Sequence, residues 1–295
     1  MKLEPAKTIL QKSAHGERWF GIDYNMNLYR GCPHGCIYCD SRSACYRVDN
    51  FDTVRGKRDA LAILERELRA RRQPGIVGLG AMSDTYNPFE ERHGITRKAL
   101  ELLDARGFGV SLETKSDLIT RDADILAGMR AGVILKFTVT TADDDLAKII
   151  EPRASLSSAR FRAMKTLSDA GLFTGTLLTP ILPFITDTAG NIRQIIRLSR
   201  ENGARFIWSM GGVTLRDNQR DYFYNQLDSH FPGLRARYVS TFGNRYFCRA
   251  PDRRLATIFK EECEHNGLLY KMPDIIRAYK RPPSLPAQGE IPFEY

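Results

Sequence analysis

Three of the chain's six cysteines stand at Cys32, Cys36 and Cys39, spaced CxxxCxxC within Arg30-Gly31-Cys32-Pro33-His34-Gly35-Cys36-Ile37-Tyr38-Cys39. Six cysteines in 295 residues are too sparse for a disulfide scaffold. Three crowded together in a reducing cytoplasm point to metal instead. A cubane iron–sulfur cluster normally takes four Cys thiolates. Three on one loop leave one iron open, and an open metal position is where a small molecule can coordinate and react. Gly31 and Gly35 let the backbone turn tightly enough to bring three sulfurs together. The alternatives are a structural zinc site completed by His34, or buried thiols without a metal. Zinc sites usually assemble from two pairs a dozen or more residues apart, and no second CxxC occurs here.

Further polar residues cluster where short apolar runs end. Residues 80–90 read Gly-Ala-Met-Ser-Asp-Thr-Tyr-Asn-Pro-Phe-Glu, a cluster of Ser, Asp, Thr and Tyr suited to ligand contact; a plain turn with caps before Pro88 is the alternative. Lys115, in Glu113-Thr114-Lys115-Ser116, offers an ammonium to an anion, or is a solvated lysine. In Lys136-Phe137-Thr138-Val139-Thr140, strand alternation sends Thr138 and Thr140 to one face and Phe137 and Val139 to the other. Glu151-Pro152-Arg153 and the proline-bearing run from Leu178 to Pro183 are either site borders or structural loops.

These segments need a scaffold, and the patterning supplies one. Candidate strands at 26–29, 76–82, 108–113, 133–140, 172–180 and 205–211 alternate with helical periodicity at 58–72, 96–106, 122–131, 155–170 and 189–202. Gly107, Gly132, Gly171 and Gly203 each stand after a periodic stretch and before a strand, as helix-ending glycines do. Six strands with five helices between them and a further helix at 219–231, read as six βα units, predict an α/β fold, either a doubly wound sheet or an incomplete barrel. In both, ligands gather at the carboxyl ends of the strands. Helices at 219–231 and 255–266, a strand at 245–249 and an extended proline-rich tail from residue 281 are expected beyond them.

Apolar residues are 42% and charged residues 27% of the chain, an ordinary globular balance. No apolar run reaches the roughly 20 residues that span a bilayer. The opening MKLEPAKTILQKS has no apolar signal core, so a cytoplasmic location is expected. The formal net charge of +9 favours polyanions such as nucleic acid and equally serves solubility.

The CxxxCxxC spacing with Tyr38 before the last cysteine resembles the signature of the radical S-adenosylmethionine (SAM) superfamily. Within it, NLYRGCPHGCIYC is most similar to the branch that includes spore photoproduct lyase, often described as DNA-repair-photolyase-like. The resemblance covers roughly residues 24 to 190. It implies a partial (β/α)6 TIM-like barrel over residues 1–215, with residues 216–295 as a helical extension packed on it. It implies a 4Fe–4S cluster on Cys32, Cys36 and Cys39, and SAM contacts at Tyr38, Ser83, Asp84, Lys115 and Thr138, with Lys115 toward the SAM carboxylate and Arg153 a further candidate for it. The implied reaction is reductive cleavage of SAM to a 5′-deoxyadenosyl radical that abstracts hydrogen from a substrate. An external flavodoxin- or ferredoxin-like electron donor follows, with nucleic acid as one substrate class.

Two positions depart from the lyase pattern. Where that branch's lyase keeps a cysteine hydrogen donor this chain has Ala81, and where it keeps a tyrosine after the last cluster cysteine the chain has Asp40. Two further readings stand beside a radical SAM enzyme of unidentified substrate: a nucleic-acid repair lyase of the photoproduct type, and a non-catalytic zinc-stabilised nucleic-acid-binding protein. Cys45, Cys248 and Cys263 read as buried core thiols, with Cys248 the most interesting beside its Gly243-Asn244 turn.

Overall fold

The computed structural model of the chain describes residues 2–14 and 18–280. The tail from residue 281 lies outside them. Strands β1 (Lys2–Glu4), β2 (Leu10–Lys12), β3 (Tyr24–Met26), β4 (Tyr29–Arg30) and β5 (Arg55–Lys57) precede helix α1 (Ala60–Arg69). Strand β6 (Ile76–Leu79) leads to α2 (Pro88–His93) and α3 (Ile95–Ala105), and β7 (Gly109–Thr114) to α4 (Ala123–Gly128). Strand β8 (Val133–Thr138) leads to α5 (Asp144–Ile150) and α6 (Ser157–Asp169), and β9 (Phe173–Leu178) to α7 (Ala189–Glu201). After β10 (Phe206–Ser209) come β11 (Gly212–Thr214), α8 (Asp217–His230), α9 (Leu234–Phe242), β12 (Phe247–Arg249), α10 (Arg254–His265) and α11 (Met272–Lys280).

Strands β3, β6, β7, β8, β9 and β10 lie side by side in chain order and all parallel, with β2 antiparallel on the outer edge of β3. A doubly wound sheet needs a reversal of strand order. This sheet has none, and its outer strands β10 and β2 are not paired, so it is a partial barrel.

Alternation along each strand separates two faces. Val110, Leu112, Leu135, Phe137 and Val139 pack with the helices in one core, which also takes Phe161, Met164 and Leu167 of α6. Those three sit at helical spacing, and each buried side chain of this size contributes about 1.5–3 kcal/mol of transfer free energy. The opposite face carries Ile134 and Leu177, which join Phe20, Ile22, Ile76 and Phe206 inside the barrel. Ile275 and Tyr279 of α11 belong to that inner cluster, and the Tyr279 hydroxyl donates to the Phe20 carbonyl at 2.5 Å.

Several elements differ from expectation. The first barrel strand sits earlier, at Tyr24–Met26, because Tyr29 and Arg30 pair with β5 in a separate three-stranded sheet with β1. The helix expected at 122–131 is shortened to Ala123–Gly128, because residues 117–122 first wind as a 3₁₀ turn capped by the Ser116 hydroxyl. Gly107, Gly171 and Gly203 take the left-handed conformation of helix stops. Gly132 does not; a Cβ there would stand 3.2 Å from the Tyr279 carbonyl oxygen, so it serves the close approach of α11. Helix α8 and strand β12 match the expected helix and strand, and β12 returns past α8 and α9 to pair antiparallel with β11.

Candidate active site

The cysteine loop leaves β4 and is shaped by Gly31 and Gly35, at φ +78° and +70°. A Cβ at Gly31 would lie 2.6 Å from the carbonyl oxygens of both Phe51 and Thr53. One at Gly35 would lie 2.9 Å from the Arg153 guanidinium, so both positions require glycine. The Cys32 N–H donates to Phe51 O at 2.8 Å, Ile37 N–H to Ile150 O at 3.0 Å, and Arg153 N–H to His34 O at 3.0 Å. Behind the loop, Cys36, Ile37 and Tyr38 join a core with Val213, Phe223, Leu227 and Tyr238, so β11, α8 and α9 form its backing. The Gln219 amide reinforces this by donating to Tyr38 O at 3.0 Å.

Cys36 is buried, and Cys32 and Cys39 are half-buried. Burial pushes all three thiols up, Cys32 to about 11, Cys36 to about 12 and Cys39 to about 11. They also feel one another: Cys39 raises Cys32, Cys32 raises Cys36, and Cys36 raises Cys39. Against this, the backbone N–H groups of Asp84 and His34 lower Cys32, and that of Ser41 lowers Cys39. The Lys115 ammonium lowers Cys36 and Cys39. Three neighbouring thiols on one glycine-shaped loop, with backbone N–H groups and an ammonium that favour their thiolates, fit an iron–sulfur cluster, whose thiolates carry negative charge. Among the described residues, no three His, Cys, Asp or Glu side chains gather around one point as the ligands of a single metal ion do. The His34 ring faces Asp84 instead, with Nδ1 3.6 Å from Oδ2.

The structure brings Lys115 to the cysteine loop. Burial alone would lower its pKa, but the charges of Cys36 and Glu151 outweigh burial and hold it above the ordinary lysine value. Its ammonium stands 5.8 Å from the Tyr38 ring centroid. The Tyr38 hydroxyl donates to Glu151 Oε1, which also accepts from Thr140 at 3.2 Å. The other Glu151 oxygen pairs with Arg160 at 2.5 Å, both side chains being 0% exposed. Burial would raise Glu151, but Arg160 and then Lys115 hold it below its ordinary value.

Ser83 and Asp84 also lie against the loop, and their side chains are engaged by protein groups. The Ser83 hydroxyl donates to the Gly31 carbonyl. Asp84 accepts from Tyr86 N–H at 3.0 Å, the Thr114 hydroxyl at 2.7 Å and Lys115 N–H at 2.7 Å. Thr138 ends β8 on the inward face, and its carbonyl accepts from Arg160 at 2.8 Å. Arg153 lies outside the loop, donating to Pro33 O and pairing with Asp52 at 3.3 Å.

Two residues of this arrangement escaped the sequence reading. Arg160 shares the buried face of α6 with Met164 and Leu167, and an arginine at a core-facing helical position was its signal. Lys136 is likewise a cation in an apolar strand, on the face of Thr138. Of the other cysteines, Cys248 and Cys263 are buried, whereas Cys45 is exposed. Cys45 sits in a 3₁₀ turn, with its sulfur 3.7 Å from the Arg216 guanidinium, and does not enter the core. Asp40 takes up Tyr46, Thr214 and Arg216.

No helix of the described residues is long and apolar enough to cross a membrane. The sequence matches the model of the Radical SAM superfamily over residues 26–199. It is 31% identical over 226 residues to an uncharacterised protein of Mycobacterium tuberculosis (strain ATCC 25618 / H37Rv), covering 73% of this chain. The match spans 66% of that relative's length, just under two thirds. An uncharacterised protein of Methanocaldococcus jannaschii is 29% identical over 190 residues, 63% of this chain and 71% of that one. Among solved structures, spore photoproduct lyase complexed with dinucleoside spore photoproduct is similar at a TM-score of 0.68, over 92% of this chain and 81% of that one, with 15% identity. A radical SAM methyltransferase from Sphaerobacter thermophilus gives 0.51 over 84% and 65%, with 14% identity. At those identities the likeness is one of fold.

Proposed function

This chain belongs to the radical SAM superfamily, and we propose that it holds its 4Fe–4S cluster on Cys32, Cys36 and Cys39 and binds SAM beside it to abstract hydrogen from a substrate. The observation that carries this reading is the Lys115 ammonium beside two of three mutually interacting thiols, at the carboxyl end of a parallel barrel strand. Held on these cysteines, a reduced 4Fe–4S cluster would supply the one-electron reduction of SAM that breaks its S–C5′ bond, releasing methionine and leaving the 5′-deoxyadenosyl radical.

The chain's own residues would bind, orient and shield. Lys115 offers its charge to the SAM carboxylate, and the inward Thr138 lines the space above the barrel. Tyr38 contributes its ring at the loop while its hydroxyl is spent on Glu151. With their side chains occupied, Ser83 and Asp84 act as positioning residues that hold the 81–84 backbone against the cysteine loop. The electron donor is an external flavodoxin- or ferredoxin-like protein.

A polyanionic substrate such as nucleic acid is favoured by the net charge of +9. Ala81, exposed at the barrel mouth, offers no thiol there, so the lyase reaction of the resembling branch is not the one proposed. The test is anaerobic incubation with SAM, a reductant and deuterated candidates, oligonucleotides included. Deuterium arriving in 5′-deoxyadenosine identifies the substrate; no cleavage of SAM under any of these conditions would refute the reading.

A further inference from the structure

Two carboxylates near the cysteine loop are already committed to protein donors. Asp84 takes Tyr86, Thr114 and Lys115, and Glu151 takes Tyr38, Thr140 and Arg160. Glu113 is placed differently. It stands one residue before the end of β7, in register with Lys136 of β8. Lys136 lies on the face of Ile134, the face that looks into the barrel. Its ammonium is 3.4 Å from Glu113 Oε2 and 4.6 Å from the Phe20 ring centroid. The Lys136 side chain is 1% exposed and that of Glu113 17%, so the cation is sealed while the carboxylate is only half-buried. Among the described residues, Glu113 Oε1 has no protein donor.

Strand β6 makes room for this group. Its inward positions carry Gly78, then Gly80 just beyond the strand end; a Cβ at Gly80 would lie 1.9 Å from the Glu113 carbonyl oxygen and 3.0 Å from its Cγ. The chain runs from Gly80 directly into residues 81–84, which hold the cysteine loop through Ser83. The open oxygen is therefore at the level of the strand ends, inside the barrel.

A buried ion pair is a weak source of stability compared with apolar packing. A sealed ammonium does, however, hold a half-buried carboxylate in one place inside the barrel. In such a low-dielectric space the group that suits an open carboxylate is a cation. A sulfonium has no N–H or O–H to donate, so charge is the main contact a protein can offer it.

We infer that Glu113 supplies the counter-charge for the sulfonium of SAM and that Lys136 positions it. This rests on the proposed function, since it assumes that SAM enters this barrel. The test compares binding of SAM with binding of S-adenosylhomocysteine, whose sulfur is neutral, by equilibrium dialysis on the cluster-loaded protein. Glu113→Gln removes the charge but leaves Lys136 unpaired, so the double variant Glu113→Gln/Lys136→Met, which removes both charges, is measured beside it. The expected result is a loss of SAM affinity of about ten- to a hundredfold, with S-adenosylhomocysteine affinity unchanged. Equal loss for both ligands, or loss for neither, would overturn the inference while leaving the proposed function intact. Wild-type protein that binds neither ligand would overturn both.

Discussion

The phenolic hydroxyl of Tyr38 donates to the carboxylate of Glu151, 113 residues further along the chain. This bond ties the loop that carries Cys36 and Cys39 to the segment after α5. Arg160 closes the arrangement from α6, giving a fully buried ionic network behind the loop. The loop cannot shift without breaking it.

Glu151→Gln should therefore destabilise the cluster-free protein by about 3–5 kcal/mol at neutral pH, because Arg160 is left buried without its partner. Arg160 and Lys115 hold Glu151 below its ordinary value against the effect of burial. A carboxylate so lowered contributes stability that is fully present above the unfolded value near ~4.3 and is lost as pH falls through the folded value. Urea unfolding across pH should show a constant gap between wild type and variant from about pH 6 to 8, shrinking below about pH 4. A gap that did not depend on pH would contradict this assignment.

Changing any one of Cys32, Cys36 or Cys39 to Ala should abolish SAM cleavage, because a cubane left with two protein thiolates is lost or badly held. Cys45→Ser should leave iron content intact, since that thiol is exposed on a separate turn. A 5′-deoxyadenosine assay and iron analysis after anaerobic reconstitution read these outcomes, and full iron with normal SAM cleavage in all three loop variants would refute the ligand assignment.

Lys115→Ala should weaken SAM binding and spare the cluster, because the lysine supplies charge rather than ligation. A charge-assisted contact is worth roughly 1.5–3 kcal/mol, so affinity should fall about ten- to a hundredfold. An unchanged dissociation constant would mean that Lys115 serves only the loop's electrostatics.

Much of this was readable from local pattern. The CxxxCxxC spacing is confined to eight residues, and the barrel strands announce themselves because alternation and apolar runs are local properties. Strands β1, β4 and β5 are two or three residues long, too short to carry a period. The partners of the site are the harder part. Glu151 pairs with Tyr38 across 113 residues, and Glu113 meets Lys136 only once β7 and β8 are in register. Ser83 and Asp84 were readable as polar residues at a strand end, but not as groups consumed by Gly31, Thr114 and Lys115.

Spore photoproduct should not be repaired with useful efficiency. Hydrogen delivery demands a donor at a defined place, and a displacement of about 1 Å can cost around a hundredfold. Ala81 has no thiol to give, Cys248 is buried in the core behind the cysteine loop, and Asp40 is bound to Tyr46, Thr214 and Arg216. The unmodified protein and an Ala81→Cys variant should be assayed together on the dinucleotide lesion; robust thymine release by the unmodified protein would contradict this reading.

The most direct test of the central claim is metal analysis and electron paramagnetic resonance of the anaerobically reconstituted protein, reduced with and without SAM. The account predicts a brown protein with about four irons per chain, and a reduced-cluster signal that changes when SAM is added, because one iron lacks a protein thiolate. A colourless protein carrying a single zinc, or a cluster signal indifferent to SAM, would contradict it.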